Sequence, residues 1–132
     1  MNDQVCLGDR GQRPRPSRSR RATDGIGRAS AAALAGAGHR VFIVGTDDAK
    51  GARVEREMRG ITGNSEVYFL CADLTLVAEA HRLAAEVARR CDRLHSLVHS
   101  AGTVRGRREL TAEGVESNFA VTYLTRFALT TN

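Results

Sequence analysis

The chain has 132 residues, of which 42% are hydrophobic and 27% are charged, a composition typical of one globular domain with a hydrophobic core. Its net charge of +5 is concentrated at the N-terminus, because residues 1–21 hold six arginines and two aspartates, whereas the 14 basic and 13 acidic residues of 22–132 nearly cancel. This distribution argues against a body that binds nucleic acid, and no apolar run approaches the ~18 residues that a membrane-spanning helix needs.

Residues 1–21 are predicted to form a basic, disordered tail. The stretch 10–21 contains no apolar residue, so it cannot bury enough surface to offset the entropy of ordering. Val5, Cys6 and Leu7 form the only apolar cluster of the tail, which is short and distant from the body. We favour a solvated tail without a function of its own, although an arm of this charge could also contact nucleic acid or an anionic lipid surface.

The cysteines and histidines of the chain indicate neither a disulfide framework nor a metal site. The three cysteines, at positions 6, 71 and 91, and the four histidines, at positions 39, 81, 95 and 99, show no metal-ligand spacing. Since the N-terminus also lacks the apolar core of a secretory signal peptide, we expect reduced thiols in a cytoplasmic protein. The arginine- and serine-rich start leaves an organelle transit peptide as a second interpretation, against which its two acidic residues argue.

Residues 22–132 show alternating patterns of helix and strand. Apolar runs with β-branched residues predict buried strands, whereas apolar residues that repeat about every 3.6 positions predict helices. In chain order the predicted elements are a helix over 28–37, a strand over 40–44, a helix from Asp47 or Asp48 to Arg59, a strand over 67–71, a helix capped by Thr75 and reaching Cys91, a strand over 94–98, and a helix over 110–129. This order indicates an α/β fold with a parallel sheet and helices on its faces.

The first strand of that sheet is expected to be missing. A glycine-rich turn such as the one at Gly25 normally follows a central parallel strand. The residues that precede this turn are rich in arginine, proline and serine, and proline cannot donate to a central strand ladder. The predicted fold is therefore a partial Rossmann-type doubly wound parallel sheet, confined to residues 22–132, with its first strand lost.

The first motif that carries chemistry opens the first helix and consists of Gly25, Ile26, Gly27 and Arg28. Glycines at such a turn let the backbone approach a pyrophosphate, and the helix N-terminus offers free N–H donors and a positive dipole. A tight turn without any ligand explains the same residues, so this motif alone decides nothing.

The second motif, Thr46 and Asp47, follows the next strand about 20 residues later, where Rossmann folds place a ribose-binding acid. An acidic side chain at this position can bind the ribose hydroxyls, whereas an arginine would favour a 2′-phosphate. The competing interpretation is structural, because Asp47 or Asp48 can equally cap the helix that follows.

Two further motifs follow the next two strands. Asp73 and Leu74 come after one strand, and Ser100, Ala101 and Gly102 come after the other. Ligands of open α/β sheets bind at the carboxyl ends of the strands. Each motif alone is an ordinary turn, but the four motifs in this order predict a dinucleotide site.

With these motifs in place, the chain resembles the N-terminal, cofactor-binding half of the short-chain dehydrogenase/reductase superfamily from about Ala22 to its last residue. In that family a Thr-Gly-x-x-x-Gly-x-Gly turn cradles the cofactor, an Asp-Leu pair binds the adenine ring, and an Asn-Asn-Ala-Gly motif supports sheet and cofactor. The resemblance implies these roles for the matching residues, namely Gly25, Gly27, Asp73, Leu74, Ala101 and Gly102. It also implies an NAD or NADP cofactor and an NAD(P)-dependent oxidoreductase of the carbonyl reductase or alcohol dehydrogenase type.

Several family positions carry other residues in this chain. The Thr-Gly pair falls on Arg20 and Arg21, the paired asparagines fall on His99 and Ser100, and the asparagine of the long helix falls on Thr122. His99 could face the nicotinamide end of a bound cofactor, but a structural substitution is the interpretation we favour.

The preference between NAD and NADP stays open. The resemblance places Thr46 where NADP-preferring members often carry arginine, and Asp47 stands beside it. Arg28 and Lys50 are the nearby basic residues in the sequence.

No catalytic residue is predicted. The family uses a tyrosine as the base and a lysine four positions later to lower the tyrosine pKa during hydride transfer. Here Tyr68 and Tyr123 are followed four positions later by Ala72 and Phe127, and Lys50 is the only lysine. We therefore interpret the chain as a truncated family member that lacks dehydrogenase activity.

An alternative function is a non-catalytic binding or regulatory fragment. The segment 110–129 resembles the long interface helix of the family, most closely that of the retinol-dehydrogenase-like branches, and many family dimers pair through this helix. Val115, Phe119 and Phe127 would then dock on a full-length relative, giving a homo- or hetero-oligomer.

Overall fold

A computed structural model of the chain describes residues 4–10, 25–100 and 106–131. In chain order the elements are β1 (Gln4–Arg10), α1 (Gly25–Gly36), β2 (His39–Gly45), α2 (Asp48–Thr62), β3 (Val67–Cys71), α3 (Val77–Arg90), β4 (Leu94–Val98), α4 (Ser117–Phe119), a π-helical turn (Ala120–Leu124) and α5 (Thr125–Thr130). The last three follow one another without a break and are called the 117–130 helix below. None of the described helices combines the length and the apolarity needed to cross a bilayer.

The strands form one four-stranded sheet in the order β3-β2-β1-β4. β2 and β3 are parallel, with Val41 opposite Val67 and Gly45 opposite Cys71. β1 runs antiparallel to both β2 and β4, so β2, β3 and β4 all point the same way. This order matches four adjacent positions of the doubly wound order 3-2-1-4-5-6, and it confirms the predicted α/β, partial Rossmann-type class.

The central position of the sheet is filled by β1, which runs antiparallel to its neighbours and is not the parallel strand that a Rossmann-type sheet has there. The predicted disorder of residues 1–21 is wrong for Gln4–Arg10, which forms β1. Val5 lies opposite Ile43 of β2 on one side and opposite Val98 of β4 on the other. A strand here pairs backbone edges of β2 and β4 that would otherwise lack partners, and antiparallel pairing needs no helical crossover. Residues 1–3 and 11–21, the rest of the predicted tail, lie outside the described residues.

The core has two layers, one on each face of the sheet. Alternate residues of β2 supply both layers, as the two-residue period of a strand requires. Phe42 and Val44 pack with α3 and α5, and Val41 and Ile43 pack with α1 and α2. All four are buried, which confirms the prediction of a strand covered on both faces.

The predicted helix over 110–129 begins seven residues later than expected, at Ser117. Leu110 and Glu116 instead form an isolated antiparallel β-bridge, and between them Gly114 adopts a left-handed conformation with φ of 75°. Such a conformation suits glycine in a turn and not in a helix. The helical period of 110–129 also predicts Phe119 and Phe127 as core residues, which is wrong because their exposed fractions are 48% and 60%.

Candidate functional site

Three strand ends meet at one edge of the sheet, called the carboxyl edge below. Because β2, β3 and β4 point the same way, their last residues lie on this side. The amide of Ala72 donates to the carbonyl of Gly45 at 2.9 Å, which joins the chain after β3 to the end of β2. α1 runs down to the tight turn before β2, so its first residue also lies at the carboxyl edge.

The first turn of α1 brings the predicted pyrophosphate-binding residues to this edge. The helix begins at Gly25, and its first turn carries no acidic residue that would repel an anion. Gly27 is buried, whereas the apolar side chain of Ile26 is 80% exposed. Arg28 forms an ion pair with Glu57 of α2, with 2.6 Å between Nη2 and Oε1. The free N–H groups of a first helical turn and its positive dipole suit a phosphate.

The end of β2 presents two exposed carboxylates. Thr46, Asp47 and Asp48 are all exposed. Asp47 is the N-cap of α2, and its Oδ1 accepts the amide of Lys50 at 2.9 Å. The capping role is therefore present, and a carboxylate has a second oxygen that can accept a further hydrogen bond. Capping and ribose binding by Asp47 are compatible.

The end of β3 leads into a turn organised by Asp73. Its Oδ1 accepts the amide and the hydroxyl of Thr75, at 2.9 and 2.7 Å. Thr75 is therefore part of this turn and does not cap α3, whose N-cap is Leu76 with no side-chain hydrogen bond. Asp73 is exposed, but the side chain of Leu74 lies in the core. Only the backbone of Leu74 is left to contact a ligand.

Cys71, the last residue of β3, is held in a neutral state. Burial raises the pKa of the Cys71 thiol, and the nearby carboxylate of Asp48 raises it further. The carbonyl of Cys71 accepts Nη2 of Arg82 at 2.6 Å. A protonated thiol is a poor nucleophile, so this cysteine gives the carboxyl edge no reactive group.

The end of β4 places His99 and Ser100 at the carboxyl edge, while Ala101 and Gly102 lie outside the described residues. The His99 ring is half-buried, and neither of its nitrogens has a hydrogen-bond partner in the described part of the chain. Burial lowers the pKa of His99, and the cation of Arg126 lowers it further. The lowered pKa favours the neutral ring, in which one nitrogen donates and the other accepts a hydrogen bond.

Thr122, which falls on the family's helix asparagine, and the two tyrosines of the chain make other contacts here. Thr122 donates its hydroxyl to the carbonyl of Asn118 in its own helix. Tyr123 is 60% exposed and stacks on Phe119, with ring centroids 5.3 Å apart. Tyr68 stacks on the core residue Phe42 and lies under a guanidinium, so its role is structural.

The contact between Glu113 and the start of α3 was not predicted from the sequence. Its Oε2 accepts the amide of Val77 at 2.7 Å, and its Oε1 accepts the amide of Ala78 at 3.0 Å. These two bonds lower the pKa of Glu113, with a smaller contribution from the charge of His81. Because Gly114 marks a turn inside the predicted helix, it was the available signal that Glu113 lies in a loop.

The remaining acidic, cysteine and histidine residues do not assemble a metal site. Over residues 25–100 and 106–131, no three such side chains converge on a point where an ion could bind. His81 and His95 are exposed.

Comparison with known proteins agrees with this geometry. A family model described as short chain dehydrogenase matches residues 22–132. The chain is 33% identical over 108 residues to the polyprenol dehydrogenase of Homo sapiens and 34% identical over 109 residues to retinol dehydrogenase 11 of Mus musculus. These matches cover 82% and 83% of this chain but 33% and 34% of the relatives. The chain thus spans about a third of the length of the curated relatives it matches.

A solved structure is similar over the same part of the chain. The crystal structure of the NADH-dependent reductase A1-R′ complexed with NAD superposes with a TM-score of 0.64 at 27% identity. The match covers 82% of this chain and 46% of the reductase chain.

Proposed function

The chain belongs to the short-chain dehydrogenase family, and we propose that its carboxyl edge binds the adenosine half of a nicotinamide dinucleotide. The observation that carries this proposal is the convergence, at one edge, of the first turn of α1, which has no acidic residue, and two exposed aspartates, Asp47 and Asp73. Family membership supports a nicotinamide dinucleotide as the ligand.

The residues at this edge fit the parts of the cofactor in order along the sheet. The amides that follow Gly25 and Gly27 suit the pyrophosphate, because the helix dipole favours an anion there. Asp47 suits the ribose hydroxyls, and Asp73 with the backbone of Leu74 suits the adenine edge. The exposed Ile26 offers an apolar surface beside them. A bound nicotinamide ring would supply the hydride chemistry of the family.

We also propose that NADH binds more tightly than NADPH. Asp47 and Asp48 are exposed at the end of β2, and they would repel a 2′-phosphate. Thr46 adds no positive charge, and Arg28 is engaged by Glu57. The similar reductase is itself described as NADH-dependent.

A fluorescence titration of the nicotinamide tests both proposals. The wild-type chain should bind NADH about tenfold more tightly than NADPH, a ratio that corresponds to about 1.4 kcal/mol. In the Asp47→Asn variant this preference should shrink, because asparagine keeps the helix cap but removes the charge. Asp92→Asn, an exposed change beyond α3, is the matched control and should leave the preference unaltered. Equal affinities would contradict the NADH preference, and no saturation by either cofactor at millimolar concentration would contradict the site.

We do not expect these 132 residues alone to catalyse hydride transfer. The chain contains no tyrosine followed four residues later by lysine. The hydroxyl of Thr122 donates to the carbonyl of Asn118 in its own helix. We expect no turnover of carbonyl substrates with NADH. A rate that survives repurification and disappears in the Tyr123→Phe variant would contradict this expectation.

Docking on a full-length relative is the second candidate function, and a specific surface favours it. Phe119, Tyr123 and Phe127 are spaced four residues apart and are exposed along one side of the 117–130 helix. Exposed aromatic residues in a contiguous row are typical of protein interfaces. Size-exclusion chromatography with a full-length family member should show a complex that Phe127→Asp abolishes. Failure of the wild-type chain to bind would count against this function.

A further inference from the structure

We propose that Glu113 is a positioning residue for the part of the carboxyl edge that would bind adenine. It acts through its two hydrogen bonds to the first turn of α3, called the clasp below. The inference rests on the proposed cofactor site, because its consequence is measured there. It concerns a contact between two segments that are far apart in sequence, the loop 109–117 and the start of α3.

The start of α3 has no cap of its own. The first four amides of any helix lack partners within the helix, and a polar side chain at the N-cap usually accepts one of them. Here the N-cap is Leu76, which has no acceptor in its side chain. Glu113 supplies both of its carboxylate oxygens instead, one to Val77 at 2.7 Å and one to Ala78 at 3.0 Å. Its negative charge also complements the positive end of the helix dipole.

The loop that carries Glu113 is closed by its own hydrogen bonds. The amide of Thr111 donates to the carbonyl of Val115 at 2.7 Å, and the amide of Gly114 donates to the carbonyl of Thr111 at 2.9 Å. At the base of the loop, the amide of Ser117 donates to the carbonyl of Glu109 at 2.8 Å. Glu113 is therefore held by an ordered loop, which lowers the entropy lost when its side chain binds α3.

The clasped turn is continuous with the adenine-binding residues. The carbonyl of Asp73 accepts the amide of Leu76 at 3.1 Å, directly before the two amides that Glu113 holds. Asp73 and the first turn of α3 are thus linked by consecutive hydrogen bonds. If the first turn frays, the turn at Asp73 loses its support on the helix side, while its side-chain bonds to Thr75 remain.

Apolar packing holds α3 along its length, from Val77 and Ala80 onward, and Glu113 adds a polar contact at its start. Further along the helix, Leu83 and Val87 share a core cluster with Ala128 of α5, so apolar packing joins α3 to the 117–130 helix. The start of α3 is joined to the same part of the chain by Glu113. Removal of Glu113 should therefore loosen the start of α3 and leave the packed remainder in place.

The experiment compares Glu113→Gln with Glu116→Gln. Both glutamates lie in the same loop and accept two backbone amides at a helix start, but Glu116 caps α4 and does not touch α3. Amide hydrogen exchange at Val77 and Ala78 is measured without nucleotide. The affinity for ADP-ribose, which is NAD without its nicotinamide ring, is measured at a temperature where all variants are folded.

We expect Glu113→Gln to speed exchange at Val77 and Ala78 by about tenfold and to weaken ADP-ribose binding by about fivefold. Glu116→Gln should change neither. Unchanged exchange at Val77 and Ala78 in Glu113→Gln would show that the clasp does not stabilise the start of α3. Faster exchange with unchanged ADP-ribose affinity would overturn the positioning role, because Glu113 would then act only as a helix cap. Wild-type protein that binds no ADP-ribose would overturn the proposed cofactor site and the positioning role together, while the exchange data would still decide whether the clasp forms.

Discussion

Replacing Gly51 by alanine tests how closely α2 packs on β3, a contact that helps to hold Asp47 at the carboxyl edge. Gly51 is buried in the first half of α2, four residues after Asp47. A methyl group built on Gly51 would fall well inside contact distance of three ring carbons of Phe69 in β3. The ring would have to move, because carbon atoms in contact normally lie about 3.5–4.0 Å apart.

Two opposing terms set the size of the effect. Alanine favours the helix over glycine by about 1 kcal/mol, whereas overpacking costs about 1–3 kcal/mol. Phe69 is only half-buried, so its ring can give way in part. We expect Gly51→Ala to lower the free energy of unfolding by between roughly zero and about 2 kcal/mol.

Gly60 provides the matched control in the same helix. No atom lies within 4 Å of a methyl group built on Gly60, so Gly60→Ala should stabilise the protein by about 0.5–1 kcal/mol. Urea denaturation measures both variants, provided that the slope of the transition is unchanged. Adding Phe69→Leu to Gly51→Ala should recover part of the loss, because the clash is with the ring. If Gly51→Ala were as stable as Gly60→Ala, the described packing of α2 on β3 would be refuted.

Three further predictions concern the stability of the fold that carries the site. Asn64 donates from Nδ2 to the carbonyls of Ala35 and His39 at 2.9 and 2.8 Å, so Asn64→Ala should cost about 1–3 kcal/mol, and an unchanged thermal midpoint would count against these bonds. Leu83 is fully buried, so Leu83→Ala should cost about 2–5 kcal/mol in urea denaturation, and a loss near zero would contradict its core position. The pKa of Glu116 is lowered because its carboxylate accepts backbone amides. The contribution of Glu116 to the free energy of unfolding is therefore present above the unfolded pKa and is lost as pH falls through the folded pKa. Glu116→Gln should flatten the stability profile below about pH 5, and an identical acid slope would exclude this role.

The sequence predicted those parts of the fold that depend on local patterns. The continuous apolar run at the start of β2 predicted a strand buried on both faces, and Val41 to Val44 are buried. The helical period likewise predicted the helix that ends at Cys91, and Leu83 and Val87 on its apolar face are buried. Such signals survive because a strand or a helix buries the same residues whatever its neighbours are.

The parts that sequence analysis missed depend on contacts between distant segments. β1 exists because two neighbouring strands offer unpaired edges, and no local pattern in the short cluster around Val5 shows that. The cap of α3 comes from Glu113, which lies 36 positions after Val77 in the sequence. Capping residues are expected next to the helix they cap, and Thr75 was therefore predicted instead.

The predicted site is only partly brought together. The structure places Gly25, Gly27, Thr46, Asp47 and Asp73 at the carboxyl edge, as the strand-end rule requires. Their cofactor-binding roles stay predictions. The order of the strand ends follows from topology and could be predicted, whereas the exposure of each side chain depends on packing that the sequence does not reveal.

Mapping the NADH contact by amide chemical shifts tests the central claim most directly. If the carboxyl edge binds NADH, the amide signals of Gly27, Asp47 and Asp73 should shift. The amide signals of residues at the opposite edge, such as Asn64 and Leu94, should stay unchanged. Shifts confined to that opposite edge, or no shifts at saturating NADH, would contradict the claim that the carboxyl edge binds the cofactor.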